Sequence, residues 1–204
     1  METRTYADLF ELVESLCGVS FAAIEEARIK ALINRRATKA YRASNHWPRF
    51  LTIGEERTVT SNVIPFTEDN LDSIDTFLRI HRTEPFVSSQ AQEYAFMVTY
   101  DGARIISGDV EPSTAFVTYK SRHTDIYGTG GSDSQDVPKE WFDYIAHGAY
   151  ADYLRAEGQQ EKAALADAEA ADILTDELLR IDEQGTTQLV AMRVNTNSNM
   201  QTRH

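Results

Sequence analysis

The chain has 204 residues, 42% of them apolar and 25% charged, which suits one globular domain or two small ones and excludes a collagen-like, low-complexity or wholly disordered polypeptide. Twenty basic against 32 acidic side chains leave a net charge of −12, so the surface as a whole repels nucleic-acid phosphates. No apolar run reaches the roughly 20 residues that span a bilayer. Met1–Ala7 lacks the basic start and apolar core of a secretory signal, and a single cysteine, Cys17, allows neither an intrachain disulfide nor a cysteine-cluster zinc site. A reducing, aqueous compartment is the expectation.

In chain order, Tyr6, Leu9, Phe10, Val13, Leu16 and Cys17 recur at helical spacing and Gly18 follows as a stop. Ser20 is placed to cap a second helix, whose apolar stripe is read as Ile24, Ala27, Ala31, Ala40 and Tyr41. Between Ala27 and Arg42 there are six bases and no acid. The helix is expected to stop at Ser44-Asn45-His46-Trp47-Pro48, because the residue before a proline is pushed out of helical geometry.

From Arg49 to about Thr124 the period shortens. Phe50–Ile53, Val59–Phe66, Thr76–His81, Tyr94–Tyr100, Ala103–Ile106 and Ala115–Tyr119 are β-branched or aromatic runs between turn residues. Asp101-Gly102 reads as a two-residue hairpin turn between Tyr94–Tyr100 and Ala103–Ile106. A small antiparallel sandwich or barrel is expected here, followed by a connector, Gly128–Gln135.

Asp136-Val137-Pro138 is expected to open a third helix, with Trp141, Ile145, Ala149 and Tyr153 on one face and Phe142, Ala146, Tyr150 and Leu154 beside it. After Gly158 a fourth helix runs to about Asp182, its stripe read as Ala164, Ala168, Ala171, Leu174, Leu178 and Ile181, with Gly185 closing it. Thr186–His204 contains no acid and two arginines, and is expected to stay unstructured until a partner binds it. The expected architecture is α+β: a discontinuous four-helix bundle (1–46 and 136–184), a small antiparallel β domain with linker inserted between its second and third helices (47–135), and an extended C-terminal tail (185–204).

Chemistry is sparse. Gly128–Ser132 lacks the lysine and spacing of a phosphate loop, and no Gly-x-Ser-x-Gly elbow occurs. His46, His81, His123, His147 and His204 are scattered without metal-ligand spacing, so no metal, cofactor or catalytic residue is expected. His123 with Asp125 is the one candidate for a hydrolytic dyad, read in the first place as a surface pair at a strand end. Asp72 with Asp75 and Asp167 with Glu169 are paired carboxylates by sequence distance only, and solvated faces explain them. A carbohydrate- or peptide-binding surface built from Tyr94, Tyr100, Tyr119 and Tyr127 is the alternative reading of the β block.

The charge layout says more. Asp152–Glu183 carries ten acids and three bases, opposite in sign to the basic second helix. The two can neutralise each other inside one molecule, or join neighbouring copies through a heterologous interface. Arg28, Arg35, Arg36, Lys39 and Arg42 against Asp167, Glu169, Asp172 and Asp176 are the candidate inter-subunit residues.

Asp136-Val-Pro-Lys-Glu-Trp141, His147-Gly-Ala-Tyr-Ala-Asp-Tyr-Leu154, Glu157-Gly158 and Lys162-Ala-Ala-Leu-Ala-Asp-Ala-Glu169 resemble the third and fourth helices of tailed-phage head–tail adaptors, the tail-tubular-A-like and portal-adaptor proteins. The N-terminal helix pair ending near Asn45-His46-Trp47-Pro48 and the β segment after it are similar too. The resemblance implies a structural virion protein without catalytic residues, assembled in the host cytoplasm. Copies would form a ring, usually of twelve, between the portal above and a tail or nozzle protein below, with DNA passing through unbound. It also implies that the C-terminal segment docks on the portal. Leu189, Val190, Met192, Arg193, Val194 and Met200 are the side chains of that segment suited to such a contact.

Overall fold

A computed structural model describes residues 3–85, 87, 92–106, 112–124, 126 and 136–198. The elements, in order, are β1 (Thr3–Thr5), α1 (Tyr6–Cys17), α2 (Ala23–Ala43), β2 (Leu51–Thr58), β3 (Val63–Pro65), β4 (Ile74–His81), β5 (Phe96–Thr99), β6 (Gly102–Ile105), β7 (Thr114–Ser121), β8 (Asp136–Pro138), α3 (Lys139–Ala156) and α4 (Gln160–Ser198). The connector Gly128–Gln135 lies outside the described residues. The chain forms two compact units, Met1–Ser44 with Asp125–His204, and Asn45–Thr124.

In the first unit α3 is the hub. Trp141, Phe142, Tyr144, Ile145, Ala146, Gly148, Ala149, Ala151, Asp152 and Leu154 are all buried, so nearly its whole circumference needs covering. α1, α2 and α4 each pack on it, and among the described residues their backbones scarcely approach one another. Short side chains let α4 come close: Ala151 and Leu154 meet Ala163 and Ala166. Thr5 closes β1 and caps α1, its Oγ1 accepting from the Asp8 N–H while Asp8 Oδ2 accepts from the Thr5 N–H, both at 3.1 Å. β1 pairs antiparallel with β8 and ties the N-terminus to the start of α3.

The second unit holds two three-stranded antiparallel sheets, ordered β2-β7-β4 and β3-β6-β5. Ile64, Ile74, Phe77, Ile80, Ala103, Ala115, Val117 and Tyr119 make its core. The β5–β6 hairpin forms one residue earlier than its Asp-Gly signal suggests: Tyr100 and Asp101 are the loop, and Gly102 opens β6 opposite Thr99. A Cβ on Gly102 would stand 2.0 Å from the Ile64 carbonyl oxygen, so only glycine lets β3 pair there.

These observations correct the expected architecture. The fold is mixed α+β, but the four helices are not a bundle, since three of them converge on a fourth. Strands are interleaved with helices rather than confined to one inserted β domain: β1 precedes α1, and β8 occupies the residues expected to start α3. The extended tail is corrected as well, because α4 runs through Gly185 to Ser198. One interior glycine costs a helix only about 1 kcal/mol, too little to end a run continued by Gln188, Leu189, Ala191, Met192 and Arg193.

Two stripes are displaced. In α2 the buried face is Ile29, Lys30, Ile33, Arg36, Ala37, Ala40 and Tyr41, and Ile24, read as core, is 87% exposed. Its N-cap is Ala22 rather than Ser20, with Glu25 Oε2 accepting from the Ala22 N–H. In α4 the buried residues are Ala163, Ala166, Ala170 and Ile181, while Ala164, Ala168 and Ala171 face solvent. Alanine-rich helices mark their apolar side weakly, because alanine suits either side.

Trp141 is 1% exposed and stands edge-on to Tyr41, with ring centroids 6.4 Å apart. Trp141→Ala is expected to destabilise the protein by about 3–5 kcal/mol, read from denaturant unfolding; an unchanged midpoint would contradict this packing.

Candidate functional site

The most densely connected polar site joins α2, α3 and α4. Arg36, 3% exposed, donates from Nε and Nη2 to both oxygens of Asp152 on α3, at 2.8 and 2.7 Å, and from Nη1 to Asp167 on α4 at 2.7 Å. Arg155 completes the ring, donating to Asp152 Oδ1 at 2.8 Å and to Asp167 Oδ2 at 2.6 Å. Burial pushes both carboxyls up, yet the hydrogen bonds and charges of Arg36 and Arg155 hold each below its ordinary value. Burial opposes the charge on Arg36, and its bonds to Asp152 and Asp167 outweigh that, raising its pKa. Two cations and two anions thus neutralise one another with all four side chains bonded.

Gly148 makes room for this ring. A Cβ there would lie 2.7 Å from Arg36 Cδ and 3.0 Å from its Nε. The guanidinium is pinned by two carboxylates and cannot swing aside cheaply.

Arg36 and Asp167 therefore leave the candidate inter-subunit face: both pair within the chain, because α3 brings a third charged partner, Asp152, between them. Glu169 stands 3.4 Å from His147 Nδ1. Arg28 lies 4.0 Å from Glu157, both half-exposed. Arg35, Lys39, Arg42, Asp172 and Asp176 face solvent, and none makes an ion pair among the described residues. On each helix they lie opposite the buried stripe. Ile24 joins the outer side of α2, and Leu165 and Leu179, 73% and 56% exposed, join the outer side of α4.

Leu189, Val190, Met192, Arg193 and Val194 fall on the last turns of α4, and Met200 lies outside the described residues. The three described tyrosines of that reading share no exposed surface. Tyr119 is fully buried, Tyr94 packs against the same core, Tyr100 is 96% exposed at the hairpin loop, and Tyr127 is outside the described residues. His123 stacks edge-on against Phe50, with centroids 5.6 Å apart, and Asp125 is outside the described residues. Asp72 and Asp75 are exposed.

Sequence reasoning missed further buried cations, Lys30, Lys120 and, most connected, Arg57. Arg57 on β2, 1% exposed, donates from Nη2 to the Asp72 carbonyl at 2.7 Å and the Tyr119 hydroxyl at 2.6 Å, and pairs with Glu55 at 2.6 Å. Its place in a strand after two glutamates looks like ordinary surface alternation. Burial, then the Glu55 hydrogen bond, raises the pKa of Tyr119. Burial and the nearby Glu14 push the Cys17 thiol up to about 11, so at neutral pH it is a thiol and a poor nucleophile.

Among the described residues no group of three or more His, Cys or carboxylate side chains is arranged to hold a metal, and no helix is long and apolar enough to cross a membrane. No protein-family model and no curated protein matches the chain.

Two outcomes test the polar ring. Gly148→Ala, a change that favours an ordinary helix by about 1 kcal/mol, is expected here to destabilise in thermal unfolding; a stabilised variant would show that Arg36 is free to move. Because the folded-state pKa values of Asp152 and Asp167 lie below their unfolded ones, near 3.9, their stabilisation is present above that pH and lost as pH falls through the folded values. Acidification below about pH 4 is expected to lower the denaturation midpoint more steeply in the native chain than in Arg36→Met, and equal slopes would contradict the ring's contribution.

Proposed function

We propose that the chain is a structural virion protein, a head–tail adaptor whose copies form a ring between the portal and the tail and continue the DNA channel. The observation that carries this reading is the reach of α4. It is 39 residues long, about 58 Å, against 18 residues, about 27 Å, for α3, its packing partner. Ile181 is the last described buried residue, and the helix goes on to Ser198. From Gln184 onward that arm contains no acid, in a chain whose net charge is −12. A helix more than twice as long as its packing partner suits docking into another protein, and the portal is the partner the family resemblance supplies.

The rest of the reading follows from charge. An acidic channel wall lets DNA slide, since basic contacts would hold the polymer through counterion release. The polar ring around Arg36 is satisfied within the chain and serves the scaffold rather than a reaction. The protein is read as a passive connector, not an enzyme.

Deleting Thr186–His204 is expected to leave unfolding stability within about 0.5 kcal/mol of the full chain and to abolish co-purification with portal rings visible by electron microscopy. Undiminished portal binding by the truncated chain would overturn the docking role.

A further inference from the structure

We propose that neighbouring copies meet by packing the outer stripe of α2 on one against the outer stripe of α4 on the next. The inference rests on the adaptor reading for its ring, but on its own observations for the contact.

The two stripes have the same spacing and opposite charge. On α2 the outward positions are Ile24, Arg28, Ala31, Arg35, Lys39 and Arg42; on α4 they are Glu161, Leu165, Ala168, Asp172, Asp176 and Leu179. Both follow the same offsets, one position every three or four residues, which keeps them on one side of a helix over five turns. One stripe carries four cations and an isoleucine, the other three carboxylates and two leucines. Each also includes one alanine, Ala31 and Ala168. The aliphatic members are the large exposed ones of these helices: Ile24 at 87%, Leu165 at 73% and Leu179 at 56%. Among the described residues Arg35, Lys39, Arg42, Glu161, Asp172 and Asp176 make no ion pair within the chain.

Charge complementarity selects a second copy as the occupant. A two-fold contact pairing each stripe with itself would set cation against cation or acid against acid. Pairing unlike stripes satisfies both, and leaves one copy of the pair with a free acidic stripe and the other with a free basic one, a heterologous arrangement that ends only when the ring closes.

The direction follows from contacts inside the unit. α2 runs antiparallel to α3, since Arg28 lies near Glu157, Arg36 at Asp152 and Tyr41 against Trp141. α4 also runs antiparallel to α3, with Asp167 at Arg155 and Glu169 at His147. α2 and α4 therefore point the same way, with Arg36 level with Asp167. Rotation about an axis along the helices preserves direction and level. The stripes then meet in parallel, with Arg28 beside Glu161, Arg35 beside Leu165 and Ala168, and Lys39 and Arg42 beside Asp172, with Asp176 one turn beyond.

The test uses full-length chain, with mass measured by light scattering at low and high salt and folding checked by thermal melts. Lys39→Glu with Arg42→Glu makes acid face acid; Asp172→Arg with Asp176→Arg makes base face base. Each variant alone is expected to fold and to associate about tenfold or more weakly than the native chain. An equimolar mixture of the two is expected to regain native mass, because acid meets base at every junction. Native mass in either variant alone, no recovery on mixing, or a native chain that stays monomeric up to its solubility limit would each overturn the proposal. So would charge reversal on α2 that alters only retention of duplex DNA, which would assign that stripe to nucleic acid. A ring that persists on the portal in both variants sinks this contact and leaves the adaptor reading standing; mixing-dependent association without portal binding does the reverse.

Discussion

The burial of Arg36 between Asp152 and Asp167 is the constraint on which the helical unit turns. A guanidinium this far from water is tolerable only with its donors satisfied and its charge met, and removing one member of such a set commonly costs about 3–5 kcal/mol. Meeting that demand fixes three helices at once. α2 must present residue 36 inward, α3 must offer a carboxylate and a glycine at 148, and α4 must bring Asp167 and let Arg155 bridge. The orientation of each helix about its own axis follows, and with it the set of side chains left facing outward.

That division of charge links fold to assembly. The acids of α4 and the bases of α2 are not interchangeable: one of each is consumed in the ring, while Arg35, Lys39, Arg42, Asp172 and Asp176 stay at the surface. Opposite charge between two segments of a sequence is compatible with pairing inside one molecule or between two. Within the chain, helical phase decides which charges pair: Arg36 and Asp167 do, and the outward charges do not. Arg36 sits one residue from Arg35 and on the other side of the helix.

The strands were the legible part. Alternating β-branched and aromatic residues between turn residues located β3 to β7 to within a few positions, since a half-buried sheet enforces that alternation, but only the first half of β2, which runs on to Thr58. The helices were legible in number, and α1 and α3 in phase as well, but α2 and α4 were not. Lys30 and Arg36 hold core positions in α2 that composition assigns to solvent, and the alanines of α4 mark neither side. The hub arrangement was not legible, because burial around all of α3 depends on which neighbours arrive rather than on its own spacing. Nor was the helical run past Gly185, where one unfavourable residue was weighed above the good helix formers after it. Of the candidate site, the surface charges were legible as types; Gly148, whose value lies in what passes beside it, carries no signal in a single sequence.

The most direct measurement is native mass spectrometry of the intact chain mixed with a candidate portal protein. The account predicts a single closed complex containing a fixed, multiple number of 23.0 kDa copies per portal ring. A chain that remains one free 23.0 kDa molecule beside an unaltered portal would contradict it.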